Sequence, residues 1–311
     1  MDDTSKYKAF QTQQQIRALR LKLNKSTILS EIESIKPTLA KIQRSSDYKE
    51  DDCFKWLKNS WNTERILRLS QEIVEQKDNY FALQWSFPQA YYSVFCSIQA
   101  YFYAMGEIHK SHAATLKFFS KNLLRGIYPK NMCFFAEGNN CTLSFSGLDI
   151  DDNKRTLELN ENESCSIDTC IGHFLKSTRE MLLAEKKDQL LKDSNKHQIL
   201  LTKKKKASRK LNSMQWSYVN EKVESTTLLH LLYRKRIKAN YKDIDTFQYP
   251  GLESSVILKD LIKIVAYMNF VHEYLISRYI GYDKLKRYAL NFDKEKMIDW
   301  FQKRMVCIEK N

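Results

Sequence analysis

The sequence predicts a mainly α-helical fold with one small β-hairpin, and three observations carry that expectation. Glycine (7) and proline (4) are scarce among 311 residues, whereas all-β chains need both at their many turns. Apolar residues recur at three- and four-residue spacing through most of the chain. Only between Tyr128 and Glu163 does the period shorten to two. With 43% apolar and 28% charged residues the composition is globular.

Residues 6–23 set Ile16, Leu19 and Leu23 on one helical stripe, and Ile28, Ile32 and Ile35 repeat it until Pro37 ends the run. Gln13 to Gln15 with Arg17, Arg20, Lys22 and Lys25 give that helix a wet face. It either docks on its own domain, the commoner use, or meets a partner. Residues 45–53 are polar and read as a loop. Trp56, Leu57 and Trp61 open a second helix, carried on by Ile66, Leu69 and Ile73 to about Lys77.

Asn79 to Gly106 carries no charged side chain and is long enough to span a bilayer. Its Gln84, Gln89, Gln99 and Pro88, and the aromatic character of its apolar residues, point instead to a buried helix. Tyr91, Phe95, Ile98 and Phe102 form its stripe, and Gly106 is its expected stop. Residues 113–124 read as a further short helix.

Alternation in 141–150 and 154–161, on either side of Asp151-Asp152-Asn153, predicts a β-hairpin. Helix returns at 173–192, where Leu175, Leu182 and Leu183 precede Leu190 and Leu191. The basic run 203–210 follows, then a helix over 220–242 with Leu228, Leu229, Leu231, Leu232 and Ile237. Tyr249-Pro250-Gly251 breaks the chain. Residues 254–280 are apolar nearly all round, which predicts a central buried helix closed by Gly281.

The net charge of +14 (51 Lys+Arg against 37 Asp+Glu) favours polyanionic partners, because neutralising phosphates releases counterions. The alternative is a lysine-rich surface that only aids solubility. Seven cysteines, an odd number, and an opening Met1-Asp2-Asp3 without a signal-peptide pattern predict reduced thiols and a cytoplasmic protein. Cys133, Cys141, Cys165, Cys170 and His173 invite a zinc reading, but the Cys133–Cys141 gap is too loose for a tight ligand pair. Buried free thiols are the preferred reading, and no metal is assigned. Glycine-rich phosphate loops, nucleophile elbows, His-Glu-x-x-His and dinucleotide fingerprints are absent, so no cofactor is expected.

Three short motifs carry a resemblance. Phe87-Pro88-Gln89-Ala90-Tyr91-Tyr92-Ser93-Val94-Phe95 resembles the Ala-Tyr-Tyr-x-x-Phe start of a HEPN helix. Ala104-Met105-Gly106 and Lys110-Ser111-His112 are similar to that family's Gly and Lys-x-His stretch. Leu232-Tyr233-Arg234-Lys235-Arg236-Ile237-Lys238-Ala239-Asn240-Tyr241 resembles its Leu-Tyr-x-x-Arg-x-x-Ala-Asp-Tyr element. The resemblance covers about 60–126 and 222–281. It implies a HEPN-like antiparallel helical bundle in which 51–127 and 221–281 are the two halves. The N-terminal extension is then 1–50, the insertion with hairpin, helix and basic run 128–220, and the C-terminal helical tail 282–311.

The resemblance also implies an RNA-directed effector or accessory protein of prokaryotic defence or toxin–antitoxin type. It would act as a homodimer or with a larger protein partner, and as a metal-independent endoribonuclease if it is an enzyme. Arg236 would hold phosphate while His112 or Tyr241 moves protons, with Lys110 and Asn240 beside them. Lys203, Lys204, Lys205, Lys206, Arg209 and Lys210 would add affinity for nucleic acid without sequence preference. The chain departs from the family in one important way: no histidine follows an arginine by four to six residues. Tyr241 stands five residues after Arg236, and a phenol is a poor base at neutral pH. That departure leaves open a non-catalytic nucleic-acid- or protein-binding subunit, or an antitoxin-like partner with Tyr241 as a modification target.

Overall fold

A computed structural model describes residues 3–24, 48–75, 81–109, 111–139, 141–151, 159–193, 196–201, 208, 210–242, 244–249, 251–294 and 298–309, with isolated positions between 30 and 38. The main helices are α1 (Asp3–Leu23), α2 (Glu50–Glu75), α3 (Phe81–Ala104), α4 (His112–Leu124), α5 (Ser164–Lys192), α6 (Ser213–Asn220) and α7 (Leu228–Ile237). A single turn, α8 (Ile244–Phe247), precedes α9 (Ser254–Ile280), α10 (Tyr282–Phe292) and α11 (Asp299–Glu309). Three short strands, β1 (Phe135–Glu137), β2 (Ser144–Ser146) and β3 (Thr226–Thr227), form one antiparallel sheet in the order β2-β1-β3. The protein is mainly helical, as its scarcity of glycine and proline predicts.

The uncharged helix α3 lies at the centre. The long helices α2 and α9 pack along it, and α7 crosses it, so helices from both sides of residues 128–220 share one core. Most of α9 is buried, including Leu261, Ile264, Val265, Met268, Val271 and Leu275. Gly106 and Gly281 take positive φ (80° and 91°) at the ends of α3 and α9, the conformation a side chain resists. No described helix is long and apolar enough to cross a membrane.

Charge inside this core is compensated by charge. Glu64 of α2 and Glu273 of α9 are both fully buried, and both meet Arg304 of α11. Arg304 Nη1 donates to both Glu64 oxygens at 3.0 and 2.8 Å, and its Nη2 donates to Glu273 Oε1 at 2.8 Å. Arg68 donates to Glu64 from one turn away, Asn269 Nδ2 donates to Glu64 at 2.8 Å, and Trp61 Nε1 donates to Glu273 at 2.7 Å. Burial alone would raise the Glu64 carboxyl, but Arg304 and Arg68 hold it below its ordinary range. Glu273 has fewer partners, and burial pushes it up to about 7 against the pull of Arg304. His272 next to it is fully enclosed, shares hydrogen bonds with Ser97 and Tyr128, and is pushed down to about 3 by burial, so it stays neutral.

Four expectations need correction. The basic residues of α1 are not a wet face: Arg17 and Arg20 bond the buried Asp260 of α9, Arg17 also bonds Glu161, and Lys22 bonds the buried Asp168 of α5 at 2.8 Å. Helix α1 therefore docks on its own domain through ion pairs as well as through Ile16, Leu19 and Leu23. The polar stretch 45–53 is not all loop, because α2 begins at Glu50 with three acidic residues in its first turn, where the helix dipole favours them.

The described hairpin joins the first arm of the expected one to a strand further upstream. Ser144–Ser146 is a strand, but its partner is Phe135–Glu137, with Ala136 opposite Phe145. The expected second arm at 154–161 lies largely outside the described residues. Finally, 220–242 is not one helix. Chain 221–225 separates α6 from β3, which pairs with β1, and α7 starts only at Leu228, where Thr227 and His230 cap it reciprocally. After Ile237 the helix widens to a π-turn over Lys238–Lys242.

One buried arginine ties the insertion together. Arg179 of α5 donates to the carbonyls of Gly138, Glu224 and Val223 and to the side chain of Asn220, joining α5 to the hairpin turn and the approach to β3. Farther along α5, Leu183 and Leu190 make a small separate core with Leu200 and Val219.

If the Glu64–Arg304–Glu273 network holds α11 to the core, Arg304→Ala strands two buried carboxylates. Urea denaturation should show a loss of about 3–5 kcal/mol. The exposed neighbour change Lys303→Ala should stay within about 0.5 kcal/mol. Equal losses for the two variants would contradict the assignment.

Candidate functional site

Three elements bring their side chains to one place on the surface of the bundle. Helix α3 contributes Tyr91, Tyr92 and Phe95, which lie on neighbouring positions of a helical face. Helix α7 contributes Tyr233 and, one turn on, Arg236. Helix α4 contributes His112, its first residue, fixed there by the Ser111 N-cap whose hydroxyl accepts from the Ala114 N–H at 3.1 Å.

Arg236 is enclosed by aromatic rings. Its guanidinium carbon lies 4.8 Å from the Tyr92 ring centroid and 5.6 Å from those of Tyr91 and Tyr233. Its Nη2 donates to the Tyr92 hydroxyl at 2.6 Å. Only 9% of the residue is exposed, and its buried Nε has no hydrogen-bond partner. Among the described residues no carboxylate lies within ion-pair distance of it. A guanidinium keeps its charge at any physiological pH, and removing it from water costs several kcal/mol. Cation–π contacts return about 0.5–2 kcal/mol each. Three rings and one phenol therefore offset the cost only in part, and an anion brought to the open edge of Arg236 would complete the compensation.

His112 packs on the same tyrosines. Its ring lies 4.6 Å from Phe95, 5.6 Å from Tyr91 and 5.8 Å from Tyr233. Its Nδ1 shares a hydrogen bond of 2.8 Å with the Tyr91 hydroxyl, and Nε2 bonds no described residue. Burial lowers its pKa, and the positive charge of Arg236 lowers it further. The imidazole is thus held neutral near pH 7, the form that accepts a proton. Burial also raises the Tyr91 phenol, so Tyr91 stays protonated and holds the ring in place.

The predicted residues separate into three groups. Arg236 and His112, distant in sequence, meet around the paired tyrosines. Tyr241 does not join them: the π-turn leaves it 69% exposed, with no hydrogen bond or ring contact to either. Asn240 is half-buried with its side-chain oxygen unpartnered among the described residues. Lys210 is exposed, while Lys110, Lys203, Lys204, Lys205, Lys206 and Arg209 lie outside the described residues. Of the cysteines and histidine weighed as zinc ligands, Cys133 donates to backbone carbonyls and burial raises Cys170 to about 11. No group of three or more metal-ligating side chains is gathered among the described residues.

Tyr91, Tyr92, Phe95 and Tyr233 surround Arg236 and His112, and in the sequence they stand out as motif letters but not as site residues. The signal was present in the Ala-Tyr-Tyr-x-x-Phe spacing, which puts the rings on one helical face. No protein-family model, curated protein or solved structure matches the chain.

The coupling of the two side chains can be read by NMR. The His112 imidazole should titrate below the ordinary histidine range, and Arg236→Gln should move it upward by removing the adjacent charge. The sign for stability follows. Below about pH 6.5 the unfolded chain binds the proton that folded His112 refuses, so its contribution to stability falls as pH drops through that region. A His112 titration unmoved by Arg236→Gln would separate the two residues.

Proposed function

We propose that this chain is an RNA-directed effector of HEPN type, and that the Arg236–His112 cluster is its phosphate-handling and proton-transfer site. The observation that carries the reading is the buried, carboxylate-free guanidinium of Arg236 beside a neutral histidine. A phosphodiester supplies the missing negative charge. Tyr92 and Tyr233, both half-buried, offer ring surface against which a neighbouring base can stack. The net charge of +14 draws polynucleotide to the surface without choosing its sequence.

As an endoribonuclease the site would work without a metal. With the His112 proton on Nδ1, donated to the Tyr91 oxygen, Nε2 is the free base and takes the proton of a ribose 2′-hydroxyl. The 2′-oxygen then attacks the adjacent phosphorus, Arg236 stabilises the charge that builds on the phosphate oxygens, and the 5′-oxygen leaves. The departing oxygen gains a proton equivalent to the one His112 removed. The products are a 2′,3′-cyclic phosphate and a 5′-hydroxyl. Cytoplasmic action within prokaryotic defence or a toxin–antitoxin pair, as a homodimer or with a larger protein partner, belongs to the same proposal.

A second reading is a non-catalytic subunit that binds RNA or a protein through the same cluster. It is favoured by the sequence departure already noted: no histidine follows an arginine by four to six residues, the spacing that HEPN ribonucleases carry.

Incubating the purified protein with total RNA in EDTA distinguishes the two. Cleavage with cyclic-phosphate ends, reduced about 10²–10³-fold by Arg236→Ala, supports the enzyme. His112→Ala should be as damaging and should remove the acid limb of the pH–rate profile. Intact RNA at high protein concentration, with binding still lost in Arg236→Ala, supports the subunit. RNA neither bound nor cut would contradict both. Replacing Lys203 to Lys206 with glutamine should weaken binding for all sequences alike. Each lost phosphate contact should flatten the slope of log K against log salt by roughly 0.7–0.9.

A further inference from the structure

We propose that a cavity between α2, α9 and α11 is a nucleotide-binding site that takes a base in its apolar interior and the attached phosphate at its lysine rim. The cavity has a volume of about 360 Å³. That falls within the range of about 300–1,000 Å³ usual for small-molecule sites and is enough for one base with its sugar. Tyr267 and Phe270 of α9 and Trp300 of α11 supply flat aromatic walls. Arg68 lies over the Trp300 ring at 4.1 Å and also borders the cavity, so a base entering it meets a guanidinium already stacked on an indole.

The charge around the cavity is one-sided. Arg68, Lys263, Lys303 and Arg304 line it, and no described lining residue is acidic. Lys263 makes no ion pair with a described residue. Lys303 is an exposed rim residue that bonds Asp299 at 2.7 Å and is free to exchange that partner for a phosphate. Behind the wall, Arg68 and Arg304 share Glu64 and Glu273. Because burial pushes Glu273 up to about 7, the two guanidinium groups are not fully neutralised near that pH.

An apolar interior with flat walls excludes a bare phosphate as the best fit, and an open cavity of about 360 Å³ with a cationic rim suits a compact planar group better than a long acyl chain. A planar base joined to an anion satisfies both halves. The site shares no residue with the Arg236–His112 cluster, so it stands whether or not that cluster cuts RNA.

Isothermal titration of the full chain with adenosine and guanosine monophosphates tests the proposal. The expected result is saturable binding to at least one of them. Affinity should fall about tenfold or more in Lys263→Glu, which removes a charge-assisted contact from an exposed position. Ala266→Phe, which fills the cavity from α9, should weaken binding similarly, and Lys121→Ala, an exposed change that lines neither site, should bind as the parent does. Thermal melts of all three variants show whether the fold is kept. Displacement of the mononucleotide by a short RNA would mean that the cavity receives a nucleotide of the bound strand. Retention would mean a free nucleotide, and each outcome keeps the site. No binding at millimolar concentration, or binding that ignores both cavity variants, or binding lost equally in Lys121→Ala, would overturn it.

Discussion

The structure depends on how it compensates charge that it has taken out of water. Glu64 and Glu273 are buried between α2, α3 and α9, and the guanidinium groups of Arg304, carried in from α11, and of Arg68 make that burial tolerable. Asp260 is compensated by Arg17 and Arg20, and Asp168 by Lys22, which is why α1 docks where it does. Arg179 is compensated by backbone carbonyls instead, and so gathers the hairpin and the chain before β3 around α5. In each case the ion joins elements that are far apart in sequence. Since a half-made buried pair costs more than none, these contacts specify one arrangement of the helices over its near alternatives.

Against that pattern Arg236 stands apart. It is nearly as enclosed as the compensated ions, yet it faces tyrosine rings and, among the described residues, no carboxylate. A protein that partners its other named internal charges so fully has a reason to leave one open, and an external anion is the simplest. The neighbouring His112 is held neutral by burial and by Arg236 itself, the form that can accept a proton. The same physics links the two sites. The Glu64–Arg304–Glu273 network that clamps α11 also fixes the wall of the cavity beside Trp300.

Much of the fold was legible because long periodic segments state their own fate. The uncharged aromatic run of α3 and the all-round apolar run of α9 could only be central helices, and Gly106 and Gly281 marked their ends. The hairpin was half legible. Alternation in 141–150 identified a strand, but its partner Phe135–Glu137 is three residues long, too short to show a period. The break before α7 was not legible either, because Thr226-Thr227 pairs with a strand some ninety residues earlier in the chain. The ion pairs of α1 were hidden for a related reason: Arg17, Arg20 and Lys22 look like a solvated face until Asp260 and Asp168 arrive from elsewhere. Motif resemblance singles out Arg236 and His112, which do lie together, whereas Tyr241, near Arg236 if the helix ran regularly through 242, is turned out to solvent by the π-turn. The aromatic box around Arg236 needed the crossing of α3 and α7, which no local pattern contains.

The central claim is that Arg236 is open to a phosphate. It is tested most directly by following the Arg236 Nε–H resonance while a 2′-O-methyl RNA oligonucleotide, which cannot be cleaved by 2′-oxygen attack, is titrated in. If the guanidinium receives a phosphodiester, that resonance shifts in step with saturation, its exchange with water slows, and the change disappears when salt releases the RNA. If RNA saturates the protein while the Arg236 resonance and its exchange stay as they were, the guanidinium is satisfied by its tyrosines alone and the account of the site is wrong.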